Sequence, residues 1–308
     1  MVVTFWGVRG SIPVPGESTI RYGGNTPCVT IEQDDTLIII DCGTGLRVLG
    51  QKLLVESNGN PINAHILISH THWDHIQGFP FFTPAFIPSN TFTIYGAKGV
   101  NRQIEDTLAG QMESPYFPVA LDAMAATLNF KAIDKQSFTI GDLSIDTCYL
   151  NHPGKALGFR INSEDGSVVY FSDHEPFYRL MTTSAAATSN KELQVTENDK
   201  IKFARSRDKE YIEFCKGVDL LIEDSPYTED EYKTRVGWGH ACIDDVVEMA
   251  LTGGVDQLAL FHHEPTHDDK QMDDIVSYCR KLLQPDDNLN VFAAQEGTQI
   301  KFPLSHTS

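Results

Sequence analysis

No stretch of this 308-residue chain is long and apolar enough to span a membrane. Its first residues, Met1-Val2-Val3-Thr4-Phe5-Trp6, have neither the basic start nor the extended apolar core of a secretion signal, and they read as a strand. Basic residues are scarce: 24 Lys and Arg stand against 42 Asp and Glu, for a net charge of −18. That argues against a basic surface for long nucleic acids, whose binding depends on neutralising many phosphates. A small anionic substrate remains compatible, because bound divalent cations would dominate the local field. The six cysteines (Cys28, Cys42, Cys148, Cys215, Cys242 and Cys279) are scattered, with no CxxC pair. They read as reduced, mostly buried thiols of a cytoplasmic protein.

What the chain does have is an apolar run, Ala64-His65-Ile66-Leu67-Ile68-Ser69, followed at once by His70-Thr71-His72-Trp73-Asp74-His75. The run reads as a buried strand about to end. His70 and His72 are two residues apart, so on extended backbone their imidazoles point to one side. Asp74 and His75 follow the turn and can aim at a second point nearby. Three imidazoles and a carboxylate on six residues are ligand chemistry for two borderline-soft divalent cations.

This segment resembles the HxHxDH signature of the metallo-β-lactamase superfamily, which implies further ligands in a set order. The strand Leu143–Leu150 runs into Asn151-His152, Ser167–Ser172 into Asp173, and Gln257–Phe261 into the pair His262-His263. The resemblance implies that His70, His72 and His152 hold one metal and that Asp74, His75 and His262 hold the other, with Asp173 bridging. His263 is the alternative to His262, which directly follows its strand as the family's terminal histidine does. Asp41 matches an aspartate that supports the ligands from behind. The implied cofactors are two divalent ions, zinc first and manganese second.

Within the superfamily the chain looks most like the branch of transfer-RNA 3′-processing endonucleases, cyclic-phosphate phosphodiesterases and phage anti-Pycsar phosphodiesterases. Asp173 stands where many β-lactamases have cysteine. Asp224-Ser225-Pro226-Tyr227 resembles that branch's acidic-x-x-aromatic turn, and Gly237-Trp238-Gly239-His240-Ala241 its Gly-His-Ser-Thr loop. The match departs from the pattern at Ala241-Cys242 and at Asp224, where glutamate is usual; Glu223 is the neighbouring candidate. In the branch this histidine, held by the acidic residue, protonates the departing oxygen. Arg9, Ser11 and Asn25, on a glycine-rich N-terminal block, are candidates for contacting phosphate or ribose. Phe79, Phe81 and Phe82 read as packing residues.

The expected fold is α/β, a four-layer αββα sandwich in one domain spanning residues 1–308. A Ser/Ala/Thr/Asn/Lys-rich surface insertion is expected at about 182–208. Helices are expected at Gly45–Glu56, Gly99–Met112, Lys209–Lys216, Ile243–Leu251 and Asp269–Leu283. The expected function is hydrolysis of small cyclic phosphodiesters, foremost 3′,5′-cyclic nucleotides to 5′-monophosphates. A metal-bridging hydroxide would attack, with Asp74, His240 and Asp224 as catalytic residues. A transfer-RNA 3′-processing endonuclease and a nucleotide-binding non-enzyme are the alternatives. The expected partners are a small-molecule substrate and a second copy in a homodimer, with no membrane and no long nucleic acid.

Overall fold

A computed structural model describes residues 1–99, 103–184 and 196–304. Two seven-stranded sheets face each other. The first has the order β14 (Gln299–Lys301), β1 (Val2–Gly7), β2 (Cys28–Gln33), β3 (Thr36–Ile40), β4 (Asn63–Leu67), β5 (Thr91–Ala97), β6 (Thr127–Ile133). The second runs β13 (Asn290–Ala293), β12 (Gln257–Phe261), β11 (Leu220–Asp224), β10 (Ser167–Phe171), β9 (Ala156–Asn162), β8 (Leu143–Leu150), β7 (Ser137–Ile140). In each, an antiparallel stretch (β14 to β3; β7 to β10) gives way to a parallel one (β3 to β6; β10 to β13).

Alternation on the strands builds the layers. Ile38, Ile40, Val168, Tyr170, Ile222 and Phe261 point between the sheets and share one core. Their neighbours point outward. Ile39 and Ile66 pack under helices α1 (Gly45–Ser57) and α3 (Ile104–Gln111), with the short helix α2 (Trp73–Ile76) following the histidine motif. Val169, Phe171 and Leu221 pack under α5 (Glu197–Cys215), α7 (Ile243–Gly253) and α8 (Asp269–Leu282). Two further helices, α4 (Phe177–Ser184) and α6 (Glu229–Tyr232), lie in the second half. The result is the expected sandwich of two mixed sheets between helices. All six cysteines are buried and free.

Two local expectations are corrected. Helix α5 starts at Glu197 and runs for 19 residues, well ahead of the expected Lys209. Thr196 caps it: its hydroxyl accepts from the Asp199 N–H, and the Asp199 side chain accepts in return. Its charged first half conceals the helical period in sequence, and among its described side chains only Ala204, Tyr211 and Cys215 are buried. The remainder of the expected insertion, residues 185–195, lies outside the described residues, as do residues 100–102 of the helix expected from Gly99. Phe79 and Phe82 are buried as expected, but Phe81 is exposed and meets Phe117 edge-on.

Candidate metal centre

The strands β1, β3, β4, β8, β10, β11 and β12 all exit at one edge of the sandwich. There the chain leaves regular pairing, and polar side chains replace the apolar run. Four of the expected residues, His70, His72, His152 and Asp173, place one ligand atom each within 4.8 Å of one another. So do Asp74, His75 and His262. Asp173 stands between the two groups. Its Oδ2 lies 3.4 Å from His70 Nε2 and 3.6 Å from His152 Nε2, and its Oδ1 lies 3.2 Å from His75 Nε2 and 3.4 Å from His262 Nε2. His72 is exposed and opens the cluster to solvent, while the other six are buried.

Several of these side chains are oriented by a partner behind them. His75 Nδ1 lies 2.8 Å from Asp41, whose carboxylate also accepts from the Ser69 N–H, the Ser69 hydroxyl and the Tyr170 hydroxyl at 2.7–2.8 Å. Asp41 thus occupies the supporting position, and its left-handed backbone (φ 60°) turns the chain out of β3. His152 Nδ1 donates to the Gly239 carbonyl at 2.8 Å. The Ser11 N–H donates to Asp74 Oδ2 at 2.8 Å. Such partners fix ring orientation and tautomer at a metal site.

The adjacent histidines part company. His262 leaves β12 with φ 57°, and its Nε2 sits 3.1 Å from Asp74. His263 turns away; its Nε2 donates to the Ala294 carbonyl at 2.8 Å. Alternation on β11 separates the two acidic candidates in the same manner. Asp224 Oδ2 accepts from His240 Nδ1 at 3.1 Å, whereas Glu223 faces the opposite side of the sheet and bonds His174 Nδ1 at 2.9 Å. His240 Nδ1 lies 3.9 Å from Asp173 and so borders the cluster.

The electrostatics favour cations. Burial works against charge on Asp74, yet His75 and His262 hold it well below the carboxylate range. Asp173 is likewise held low by His262, His75 and His70. Burial pushes His152 down to about 3, leaving it neutral with a free lone pair. Against burial, Asp173, Asp224 and Asp74 raise His262 to about 10. Against burial, Asp74, Asp173 and Asp41 raise His75 as well. The buried Nε2 atoms of His70 and His75 have no hydrogen-bond partner among the described residues. Orphaned imidazole nitrogens around ionised carboxylates are the donor set that a divalent ion satisfies.

Two N-terminal expectations are corrected. Arg9 is fully buried, with Nε donating to the Gly23 carbonyl (2.8 Å) and NH1 to the His267 carbonyl (2.7 Å). Asn25 donates to Glu296 from its backbone and side chain at 2.6 and 2.9 Å. Both secure the loop and do not reach the cluster; of the three candidates only Ser11 does, through its backbone N–H. Glu175 was not foreseen. It is buried, and its carboxylate accepts from the Gly237 and Gly239 N–H groups (2.8 and 2.9 Å) and from the Tyr232 hydroxyl, clamping the loop that carries His240. Its signal in sequence is a second carboxylate two residues past Asp173.

The model for the beta-lactamase superfamily domain matches residues 36–187. Ribonuclease Z of Oceanobacillus iheyensis is 22% identical over 286 residues, covering 84% of this chain and 89% of that protein. Among solved structures, the metallo-beta-lactamase fold protein YhfI from Bacillus subtilis has a TM-score of 0.64 at 19% identity, covering 97% of this chain and 98% of its own. A diphosphatase from the PhnP family has a TM-score of 0.64 at 16% identity, with 98% of each chain covered. The signature segment, the two-sheet sandwich and these likenesses agree in supporting the metallo-β-lactamase superfamily and, within it, the branch that contains ribonuclease Z.

Proposed function

We propose that the protein is a metal-dependent phosphodiesterase acting on small cyclic phosphodiesters, foremost 3′,5′-cyclic nucleotides. The observation that carries the reading is a histidine–carboxylate pair, His240–Asp224, beside a seven-residue His/Asp cluster with orphaned nitrogens. One ion would be held by His70, His72 and His152 and a second by Asp74, His75 and His262, with Asp173 shared. When bound, two divalent ions supply Lewis acidity toward phosphate oxygens and a water activated near neutral pH.

The chain's own residues do the rest. Asp41 and the Gly239 carbonyl fix the tautomers of His75 and His152, and the Ser11 N–H holds Asp74. Asp224 accepts a hydrogen bond from His240 Nδ1–H, so the other ring nitrogen is the one that can meet the leaving oxygen. Burial opposes the charge on His240, but Asp224 outweighs it and raises His240 above its usual value. The protonated form, which can give its proton to the departing alkoxide, is thereby favoured. For a 3′,5′-cyclic nucleotide, cleavage at the 3′ oxygen gives a 5′-monophosphate.

The excess of 42 acidic over 24 basic residues supports a small substrate. Likeness to ribonuclease Z favours a second reading, transfer-RNA 3′ processing. The test is turnover of cAMP, cGMP, cCMP, cUMP, a 2′,3′-cyclic nucleotide, bis(p-nitrophenyl) phosphate and a precursor transfer RNA, each with zinc or manganese. Asp173→Ala should lose bound metal and hydrolysis together; full activity in that variant would remove the cluster from the mechanism.

A further inference from the structure

The chain has three tryptophans. Trp6 is buried, and its indole N–H donates to Thr30 Oγ1 at 2.9 Å. The other two are 71% exposed (Trp73) and 59% exposed (Trp238). Both adjoin the candidate metal centre. Trp73 lies between His72 and Asp74. Trp238 precedes Gly239, whose carbonyl accepts from His152 at 2.8 Å, and His240 follows. His72 Nδ1 and His152 Nε2 are 2.9 Å apart, so one exposed indole is tied to each side of that contact.

Loose backbone does not account for the exposure. Around Trp238, Glu175 accepts from Gly237 and Gly239 at 2.8 and 2.9 Å, and the Trp238 N–H donates to the Arg235 carbonyl at 3.1 Å. Trp73 opens α2, and its carbonyl accepts from the Gln77 N–H at 2.7 Å. Fixed backbone that holds large apolar rings in water beside a reaction centre is unusual for residues serving only the core. It suits a ligand with a flat, uncharged face, which an acidic surface does not repel.

We propose that Trp238, with Trp73 as a second wall, is the subsite on which the base of the substrate stacks. This rests on the cyclic-nucleotide reading above. An aromatic ring stacks on any nucleobase, so the subsite would select for the presence of a base more than for its identity.

The experiment uses the full-length, metal-loaded protein. Trp238→Ala and Trp73→Ala are assayed with cAMP and with the same cyclic phosphate carrying a methoxy group in place of the base. Trp238→Ala should raise KM for cAMP roughly five- to hundredfold, the worth of one stacked base, with kcat and bound metal little changed. Trp73→Ala should raise it less. Neither should affect the base-free compound, and Trp238→Phe should recover part of the loss. Independently of turnover, 5′-AMP should quench tryptophan emission in the wild type and not in a Trp73→Phe/Trp238→Phe protein, where only buried Trp6 remains. If cyclic nucleotides are not hydrolysed, the functional reading fails, and the quench alone judges the subsite. Unchanged KM and unchanged quench in the variants would overturn the proposal. So would equal losses on both substrates together with dissociation of a dimer in light scattering, which would make the indoles a contact between copies.

Discussion

Individual side chains in this protein are sorted by one-residue steps. His262 faces the cluster and His263 the Ala294 carbonyl. His262→Ala should therefore lower bound metal by about half, as expected when one of two sites loses a ligand, whereas His263→Ala should leave the content intact; metal analysis after dialysis decides. Asp224 and Glu223 part in the same way. His240→Ala should keep its metal and lose roughly a hundred- to ten-thousand-fold in turnover of cyclic nucleotides. The loss should shrink with bis(p-nitrophenyl) phosphate, whose leaving group hardly needs a proton. Equal losses on both would make His240 a structural residue. Asp224→Asn should show the same selectivity, and Glu223→Gln should not. The acid works only while protonated, and Asp224 raises its pKa. The wild-type rate on poor leaving groups should accordingly fall as pH rises through that raised value, and Asp224→Asn should move the fall to lower pH.

At the scale of elements, loops after strand ends carry the site, and close backbone contacts hold them in register. Gly239 has φ 87°, and a Cβ there would come within 2.3 Å of His152 Nδ1. Gly239→Ala should push His152 away from His70 and Asp173 and strain the loop that carries His240. Metal titration should show one weakened site, with little change in the far half of the molecule. Gly10 has the same relation to the other metal position, since a Cβ there would lie 2.4 Å from His262 ring atoms. Normal metal content in Gly239→Ala would mean that the loop yields more readily than its four hydrogen bonds to Glu175, His152 and Arg235 suggest.

Across the whole molecule, the two sheets repeat one plan. β1 to β6 and β8 to β13 each form two antiparallel pairings followed by three parallel ones, with β14 and β7 added at matching edges. Asp41 follows the third strand of the first set and Asp173 the third of the second, so equivalent positions supply the carboxylate behind His75 and the one between the two groups. The surface is set by charge. At −18, precursor transfer RNA should bind weakly at physiological salt and turn over slower than cyclic nucleotides by orders of magnitude. Tight RNA binding with a steep salt dependence, measured by filter retention from low to high salt, would favour the endonuclease reading.

Local pattern is enough to read the apolar runs that end in polar groups, β4, β8, β10 and β12, with the residues at or just past their ends. Those residues are legible because the chemistry of a metal site concentrates rare donors at strand termini. β5, β9, β13 and β14 were not legible, being broken by Gly96 or Gly158 or only three to four residues long. The repeat of the two halves leaves no sequence trace, because any apolar residue satisfies an inward position: Ile38 and Ile40 in one sheet do what Val168 and Tyr170 do in the other. Arg9, Asn25 and Glu175 show the remaining limit. Their chemistry suits a ligand or a backbone carbonyl, carboxylate or N–H group equally well. The partner each one took was decided only when segments as distant as Gly23 and His267, or Glu175 and Gly239, were brought together in space. Residue type and local period set what each side chain could do, and long-range packing determined which of those interactions it made.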